Sequence, residues 1–112
     1  MRLLLHPQAG EELEQAAVWY EARVAGLGSD LLDEVSRWLE TIPEMPSAWP
    51  RWPGAPALEP PIRRSPLRRF PFALAYQVFE GHTLVLACAH TSKRPFYWRS
   101  RAEPDASEET PG

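Results

Sequence analysis

Residues 72–90, Phe-Ala-Leu-Ala-Tyr-Gln-Val-Phe-Glu-Gly-His-Thr-Leu-Val-Leu-Ala-Cys-Ala-His, decide the fold that the sequence predicts. Two apolar runs, residues 72–79 and 83–90, lie on either side of the polar turn Glu80-Gly81-His82. Runs of this length and composition, separated by a short turn that contains glycine, are typical of paired antiparallel strands. The stretch therefore predicts a β-hairpin late in the chain.

Upstream of the hairpin, the pattern changes to helical spacing. Residues 2–6 read as a short strand, and Pro7 suits the first turn of a helix, where its missing N–H costs nothing. A glycine turn at residues 26–28 separates two helical segments, and Ser29 is the predicted N-cap of the second. The apolar positions recur at three- and four-residue steps. They are Leu13, Ala16, Ala17, Tyr20 and Val24 in the first helix, and Leu31, Val35, Trp38, Leu39 and Ile42 in the second.

A proline-rich connector follows the helices, since nine of the thirteen prolines fall between residues 43 and 71. Proline disfavours both helix and central strand, so residues 43–61 are predicted to be stiff and extended. Trp49 and Trp52 are expected to fix this connector to the core. A strand is predicted at 62–69, and Pro66 places it at a sheet edge or a bulge.

The predicted order of elements is therefore β-α-α-β-β-β, an α+β fold. One face of a small, mostly antiparallel sheet is expected to pack on the helical hairpin. The other face is expected to be free, concave and basic. Residues 1–101 are predicted to form a single domain, and residues 102–112, which are polar and acidic, a disordered tail.

Charge is distributed unevenly along the chain, although the net charge is only −3. Residues 1–50 carry three basic and nine acidic side chains, residues 51–101 carry nine basic and two acidic ones, and the remainder adds four acidic groups. The basic section could face a nucleic acid or an acidic protein, or its arginines could be solvated strand residues.

Composition also limits the class of protein. No apolar run approaches the roughly 20 residues that cross a bilayer, and the single cysteine, Cys88, cannot form an internal disulfide. We therefore expect a cytoplasmic protein with no membrane partner. Three scattered histidines and one cysteine do not have the spacing of a metal site, and we expect no cofactor.

Side chains that could transfer a proton or bind an anion are concentrated at and after the end of the last predicted strand. His90 can move a proton near neutral pH, and Lys93, Arg94, Arg99 and Arg101 supply positive charge beside Tyr97. An ordinary structural role is the alternative for each of them: His90 could cap a strand end, Tyr97 could cover the core, and Cys88 is expected to be inert packing.

Five local features carry a resemblance to a known family when taken together and in order. They are Ala16-Ala17-Val18-Trp19-Tyr20-Glu21; Gly26-Leu27-Gly28; Ile42-Pro43 with Pro46 and Trp49-Pro50; Leu67-Arg68-Arg69-Phe70-Pro71-Phe72 with Tyr76; and Ala87-Cys88-Ala89-His90 followed by Arg94-Pro95 and Tyr97-Trp98. Over residues 1–101, this combination resembles the bacterial RelE/ParE toxin superfamily, and in particular its ParE-like plasmid-stabilisation branch.

The resemblance implies the toxin component of a type II toxin–antitoxin system, held inactive in a hetero-oligomeric complex with a cognate antitoxin protein. ParE-like members are described as poisoning DNA gyrase, and RelE-like members as cleaving messenger RNA on the ribosome. Fold alone does not choose between these two targets. The motifs lie closer to the ParE-like branch, which makes gyrase the favoured target.

The nuclease alternative would be metal-independent and would need a base, an acid and cations at the phosphate. The resemblance implies His90, Arg69, Arg94 and Tyr97 for these roles. Arg69 could instead stack on Phe70 or pair with Glu40 or Glu44. The candidate surface for antitoxin or target consists of Trp19, Tyr20, Trp38, Lys93, Arg99 and Arg101, with buried core as the alternative for the aromatic residues. A third hypothesis is an orphan module that binds an antitoxin but is no longer toxic.

Overall fold

Strands and helices follow one another in the order β-α-α-β-β-β, as the sequence predicts. The structure is a computed structural model that describes residues 2–94 and 96–102. The elements are β1 (Arg2–Leu5), α1 (Pro7–Arg23), α2 (Leu27–Thr41), β2 (Arg63–Pro66), β3 (Phe72–Phe79), β4 (His82–His90) and a short 3-10 helix, Arg99–Arg101.

The four strands form one mixed sheet in the order β1-β4-β3-β2. β1 runs parallel to β4, whereas β4, β3 and β2 pair antiparallel. The predicted hairpin is confirmed: β3 has the expected bounds, and β4 begins one residue early because His82 pairs with Phe79 and stacks on its ring. The described part of the chain is therefore α+β, with two α-helices and a four-stranded sheet.

The start of α2 differs from the prediction. The helix begins at Leu27, and Gly26 takes a left-handed conformation (φ 89°) at the N-cap position that had been assigned to Ser29. The Glu21 carboxylate of α1 accepts the backbone N–H of Gly26 at 2.8 Å and that of Gly28 at 3.0 Å. Because α1 supplies the cap, the hydroxyl of Ser29 is not needed.

A first hydrophobic cluster lies between the helical hairpin and one face of the sheet. α2 contributes Leu31 and Val35, and β3 contributes Leu74 and Tyr76, all of them buried. Packing of the two helices on this face confirms the expected layer arrangement. The half-buried Trp49 packs against the same cluster, so this end of the connector is attached to the core as predicted.

The opposite face of the sheet is covered, which corrects the expectation of a free concave face. A second cluster joins Ala75 and Leu86 of the sheet to Ile62 and Trp98, and Trp98 is only 1% exposed. Trp52 packs edge-on against Trp98, with 5.1 Å between ring centroids. The small side chains on this face leave room that the connector and the C-terminal segment fill.

β2 is shorter than the predicted strand at 62–69. The chain leaves the sheet after Pro66, and the Glu34 carboxylate of α2 accepts the backbone N–H groups of Arg68 and Arg69. Connector residues border the outer edge of β2, since the Arg64 N–H donates to the Pro50 carbonyl. The predicted tail at 102–112 lies outside the described residues except for Ala102, which packs against the second cluster.

Candidate functional site around His90

His90 ends β4 in a defined orientation. The Ser92 backbone N–H donates to His90 Nδ1 at 3.0 Å, and Ser92 Oγ lies 2.7 Å from the same nitrogen. The imidazole also packs edge-on against Phe72, with 5.0 Å between ring centroids. Because Nδ1 accepts a hydrogen bond, the neutral ring carries its proton on Nε2. His90 is therefore set up as a hydrogen-bond donor at Nε2, without a free lone pair there.

Two grooves meet at His90. An aromatic groove of about 370 Å³ lies between α1 and the end of β4, and it includes Trp19, Tyr20 and Phe72. A smaller basic groove of about 180 Å³ includes Arg64 and Arg94. His90, Lys93 and Tyr97 line both grooves. We refer to the two grooves together as the His90 site.

Glu12 of α1 fixes the C-terminal segment at the aromatic groove. Its carboxylate accepts the Tyr97 hydroxyl at 2.6 Å, two Arg101 guanidinium N–H groups at 3.0 Å and the Cys88 backbone N–H at 3.1 Å. Arg101 also donates to the Leu86 carbonyl at 3.2 Å. The Glu12–Arg101 ion pair is largely shielded, with side chains 20% and 10% exposed. Tyr97 and Arg101 are therefore structural anchors of this segment.

The environment of Tyr97 makes it a poor proton donor. Burial raises the pKa of its phenol, and the hydrogen bond to the Glu12 carboxylate raises it further. The same proton is already donated to Glu12. Tyr97 can present its ring face to a ligand, but its hydroxyl is not free to protonate a leaving oxygen.

The structure brings together three of the four residues suggested for RNA cleavage. His90, Arg94 and Tyr97 line the basic groove, with Arg94 exposed. Arg69 lines a different groove and pairs with Asp30 at 3.3 Å, and not with Glu40 or Glu44 as considered from the sequence. Its guanidinium lies 5.5 Å from the Phe70 ring centroid, so the expected stacking on Phe70 is present.

The six suggested partner residues fall into four settings. Trp19 is 50% exposed beside the half-buried Tyr20, and both line the aromatic groove together with Lys93. Trp38 lines the same groove as Arg69. Arg99 is exposed on the 3-10 helix, whereas Arg101 is held by Glu12.

Sequence reasoning missed Glu12, Arg64 and Ser92. Glu12 shares a helix face with Ala16 and Trp19, four and seven residues further on, and that spacing could have revealed it. Arg64 lies with its guanidinium 5.2 Å from the Trp52 ring centroid. No local pattern placed it beside His90, because β2 and β4 lie on either side of β3 and are brought near each other only by the folded sheet.

Cys88 and metal binding add no further chemistry to the site. Burial raises the pKa of the Cys88 thiol to about 12, with the nearby Glu12 charge contributing, so the thiol is inert packing as expected. Among residues 2–94 and 96–102, no group of three or more His, Cys, Asp or Glu side chains is arranged to hold a metal ion.

None of the described helices combines the length and apolar character that a membrane span requires. No protein-family model matches this chain, and no curated protein sequence matches it significantly. Ideas about its function therefore rest on the geometry of the site and on the motifs in the sequence.

Proposed function

We propose that this chain is the toxin component of a type II toxin–antitoxin system, with a RelE/ParE-like fold. The supporting observation is the order β-α-α-β-β-β, with a helical hairpin on one face of a mostly antiparallel sheet. This is the architecture that the five sequence features imply. A cognate antitoxin protein neutralises the toxin in a hetero-oligomeric complex in the cytoplasm.

The site favours action by binding, as in the ParE-like branch with DNA gyrase as target. RNA cleavage through the ribose 2′-hydroxyl needs one group to remove a proton and another to supply one. His90 presents a proton at Nε2 and keeps its lone pair on Nδ1 engaged with Ser92. The Tyr97 proton is engaged with Glu12. A groove with exposed cations and aromatic rings but without a free acid–base pair is suited to recognition of a macromolecule.

Two exposed apolar side chains of α1, Val18 and Trp19, mark the face of the helix that we assign to the antitoxin. Val18 is 68% and Trp19 50% exposed, and Trp19 continues directly into the aromatic groove. Arg23 covers one face of the Trp19 indole at 3.5 Å. An apolar segment laid along this face would extend the hydrophobic contact from the helix surface into the groove.

A RelE-like, ribosome-dependent endoribonuclease is the second candidate, and one observation favours it. Arg64, Lys93 and Arg94 surround His90 in the basic groove, where a phosphate could be held by several cations. In this candidate, docking on the ribosome would release Nδ1 from Ser92 so that His90 could act as a base. An orphan antitoxin-binding module without toxicity is the third candidate.

Incorporation of labelled precursors after induction tests the proposal. The full-length chain is expressed alone in growing bacteria, and thymidine and amino-acid incorporation are followed over the first minutes. We expect DNA synthesis to fall before protein synthesis, because gyrase poisoning blocks replication first. The His90→Ala variant should remain toxic, since no proton transfer is required.

Other outcomes identify the other candidates. A prompt fall in protein synthesis that His90→Ala abolishes would replace the gyrase proposal with RNA cleavage. Unimpaired growth with soluble protein present would reject toxicity and leave the orphan module. Arg2→Ala is the matched control, because Arg2 is exposed on β1 and lines none of the grooves around His90.

A further inference from the structure

A third groove, of about 510 Å³, lies between α2 and the loop that joins β2 to β3. We call it the arginine groove, and its main lining residues are Glu34, Arg37, Trp38, Trp49, Arg68 and Arg69. None of its lining residues also lines the His90 site. It is thus a separate surface, to which the preceding proposal assigns no role.

The buried carboxylate of Glu34 holds the two walls of this groove together. Glu34 is only 4% exposed, and it accepts the backbone N–H of Arg68, the backbone N–H of Arg69 at 3.2 Å and the Trp38 indole N–H at 3.2 Å. By holding two consecutive N–H groups, Glu34 fixes the loop backbone against α2. The side chains of Arg68 and Arg69 remain exposed at the rim.

Two guanidinium groups of the groove make no hydrogen bond or close ion pair with the described residues, although the charge of one of them, Arg37, acts on Glu34 from a greater distance. Arg69 is neutralised by Asp30 at 3.3 Å. Arg37 and Arg68 are exposed, and their side chains make no hydrogen bond or ion pair with any residue in the described ranges. They stand on opposite walls, Arg37 on α2 and Arg68 on the loop, so an anionic group between them could contact both.

The floor between the arginines is apolar. Trp38 and Trp49 pack edge-to-face with 5.1 Å between ring centroids, and both are half-buried. Their polar atoms are already used, because the Trp38 N–H donates to Glu34 and the Trp49 N–H donates to Ser65. The indole surface that remains is apolar, and a large apolar side chain would be a suitable contact for it.

We propose that the arginine groove binds an acidic segment of a protein partner, in which one or two carboxylates adjoin a large apolar side chain. The carboxylates pair with Arg37 and Arg68, and the apolar side chain covers the two indoles. Charge complementarity favours this occupant over a nucleic acid, because Asp30 already pairs with Arg69 and leaves Arg37 and Arg68 as the groove's two arginines without an ion pair among the described residues. Two guanidinium groups match one or two carboxylates, whereas a continuous row of phosphates calls for a longer track of cations. The proposal rests on this surface alone and does not require that the chain be a toxin.

Peptide selection tests the proposal. Random peptides displayed on phage are selected on the immobilised full-length chain, and an enriched sequence is synthesised with a fluorescein label. We expect enriched peptides to carry Asp or Glu next to Trp, Phe or Leu. In fluorescence anisotropy, Arg37→Ala and Arg68→Ala should each weaken binding about tenfold, the loss of one charge-assisted hydrogen bond.

The matched control is Arg2→Ala, which removes an exposed arginine from the opposite edge of the sheet and should leave affinity unchanged. The proposal is overturned if no enriched peptide depends on Arg37 and Arg68, or if the enriched peptides lack acidic residues. It is also overturned if a single-stranded thymidine oligonucleotide binds instead and both substitutions abolish that binding, since the groove would then be a nucleic-acid site.

Discussion

At the scale of single residues, three glutamate side chains hold backbone segments of this protein in place. Glu21 caps α2, Glu34 holds the loop after β2, and Glu12 holds the C-terminal segment. Each accepts at least one partly buried backbone N–H group, and leaving a buried N–H without a partner costs about 1–3 kcal/mol. Acidic side chains on the two helices thus accept hydrogen bonds from backbone N–H groups that have no partner in a helix or a strand pairing.

Glu34 gives the sharpest test at this scale. Burial would raise its pKa, but hydrogen bonds from the Arg68 N–H, the Trp38 indole and the Arg69 N–H, together with the charge of Arg37, outweigh burial and lower the pKa below its ordinary value of 4.5. A carboxyl group with a lowered pKa stabilises the folded state above its unfolded pKa. That contribution is lost as pH falls through the folded pKa.

We therefore expect Glu34→Gln to lower the free energy of unfolding by about 1–3 kcal/mol at neutral pH, because charged acceptors form the stronger hydrogen bonds. The difference between the variant and the original chain should shrink as pH is lowered below 4.5, the ordinary pKa of the group. Urea unfolding across this pH range measures both. Glu40→Gln, an exposed change on the same helix, should show neither effect. An undiminished difference at acid pH would contradict the role given to the Glu34 charge.

At the scale of the secondary-structure element, Gly28 allows α1 and α2 to approach each other closely. A Cβ atom at position 28 would lie 2.4 Å from the Ala17 carbonyl oxygen and 3.0 Å from the Glu21 Cβ. A backbone oxygen cannot move aside without separating the helices. Gly28 therefore permits both the contact between the helices and the cap that Glu21 provides.

Two Gly→Ala substitutions separate this packing effect from helix propensity. Gly28→Ala should destabilise the fold by about 1–3 kcal/mol because of the overlap with α1. Gly10→Ala is the matched change inside α1, where the nearest atom, Leu5 Cδ2, would lie 3.5 Å away. It should be neutral or stabilise by up to about 1 kcal/mol. The urea concentration at the midpoint of unfolding is measured for both variants and for the original chain. Equal effects of the two substitutions would show that Gly28 has no special packing role.

At the scale of the whole molecule, β3 and β4 contribute side chains to both hydrophobic clusters, one on each face of the sheet. The helical hairpin covers one face of these strands, and the connector with the C-terminal segment covers the other. Loss of either layer exposes apolar side chains of the same two strands. We therefore expect one cooperative unfolding transition for the described part of the chain.

Cys88 is a natural reporter of that transition. It is 3% exposed and lies under α1, and burial raises its pKa to about 12. A thiol reagent should label it only as fast as the molecule unfolds, and the labelling rate should follow the urea transition seen by tryptophan fluorescence. Stoichiometric labelling of the native protein within seconds at neutral pH would show that the sheet opens locally at this site.

Much of the fold was predictable because its signals are local. The alternating and continuous apolar runs identified β3 and β4, the helical period identified α1 and α2, and Pro7 marked the start of α1. His90, Lys93 and Arg94 line one groove, which their closeness along the chain made predictable. Errors occurred where a partner was distant: Glu12 reaches Tyr97 across 85 positions, and no short pattern reports such a pairing.

The sequence by itself determined which elements form, which faces of them are apolar, and that positive charge concentrates after α2. Only the tertiary structure decided that both faces of the sheet are covered, that Arg69 lies apart from His90, and that Glu12 and Glu34 each bind a distant segment. The physical reason is that the spacing of apolar residues along one helix or strand determines which of its faces is buried. Which carboxylate meets which N–H group, in contrast, depends on how the helices, strands and loops pack against one another.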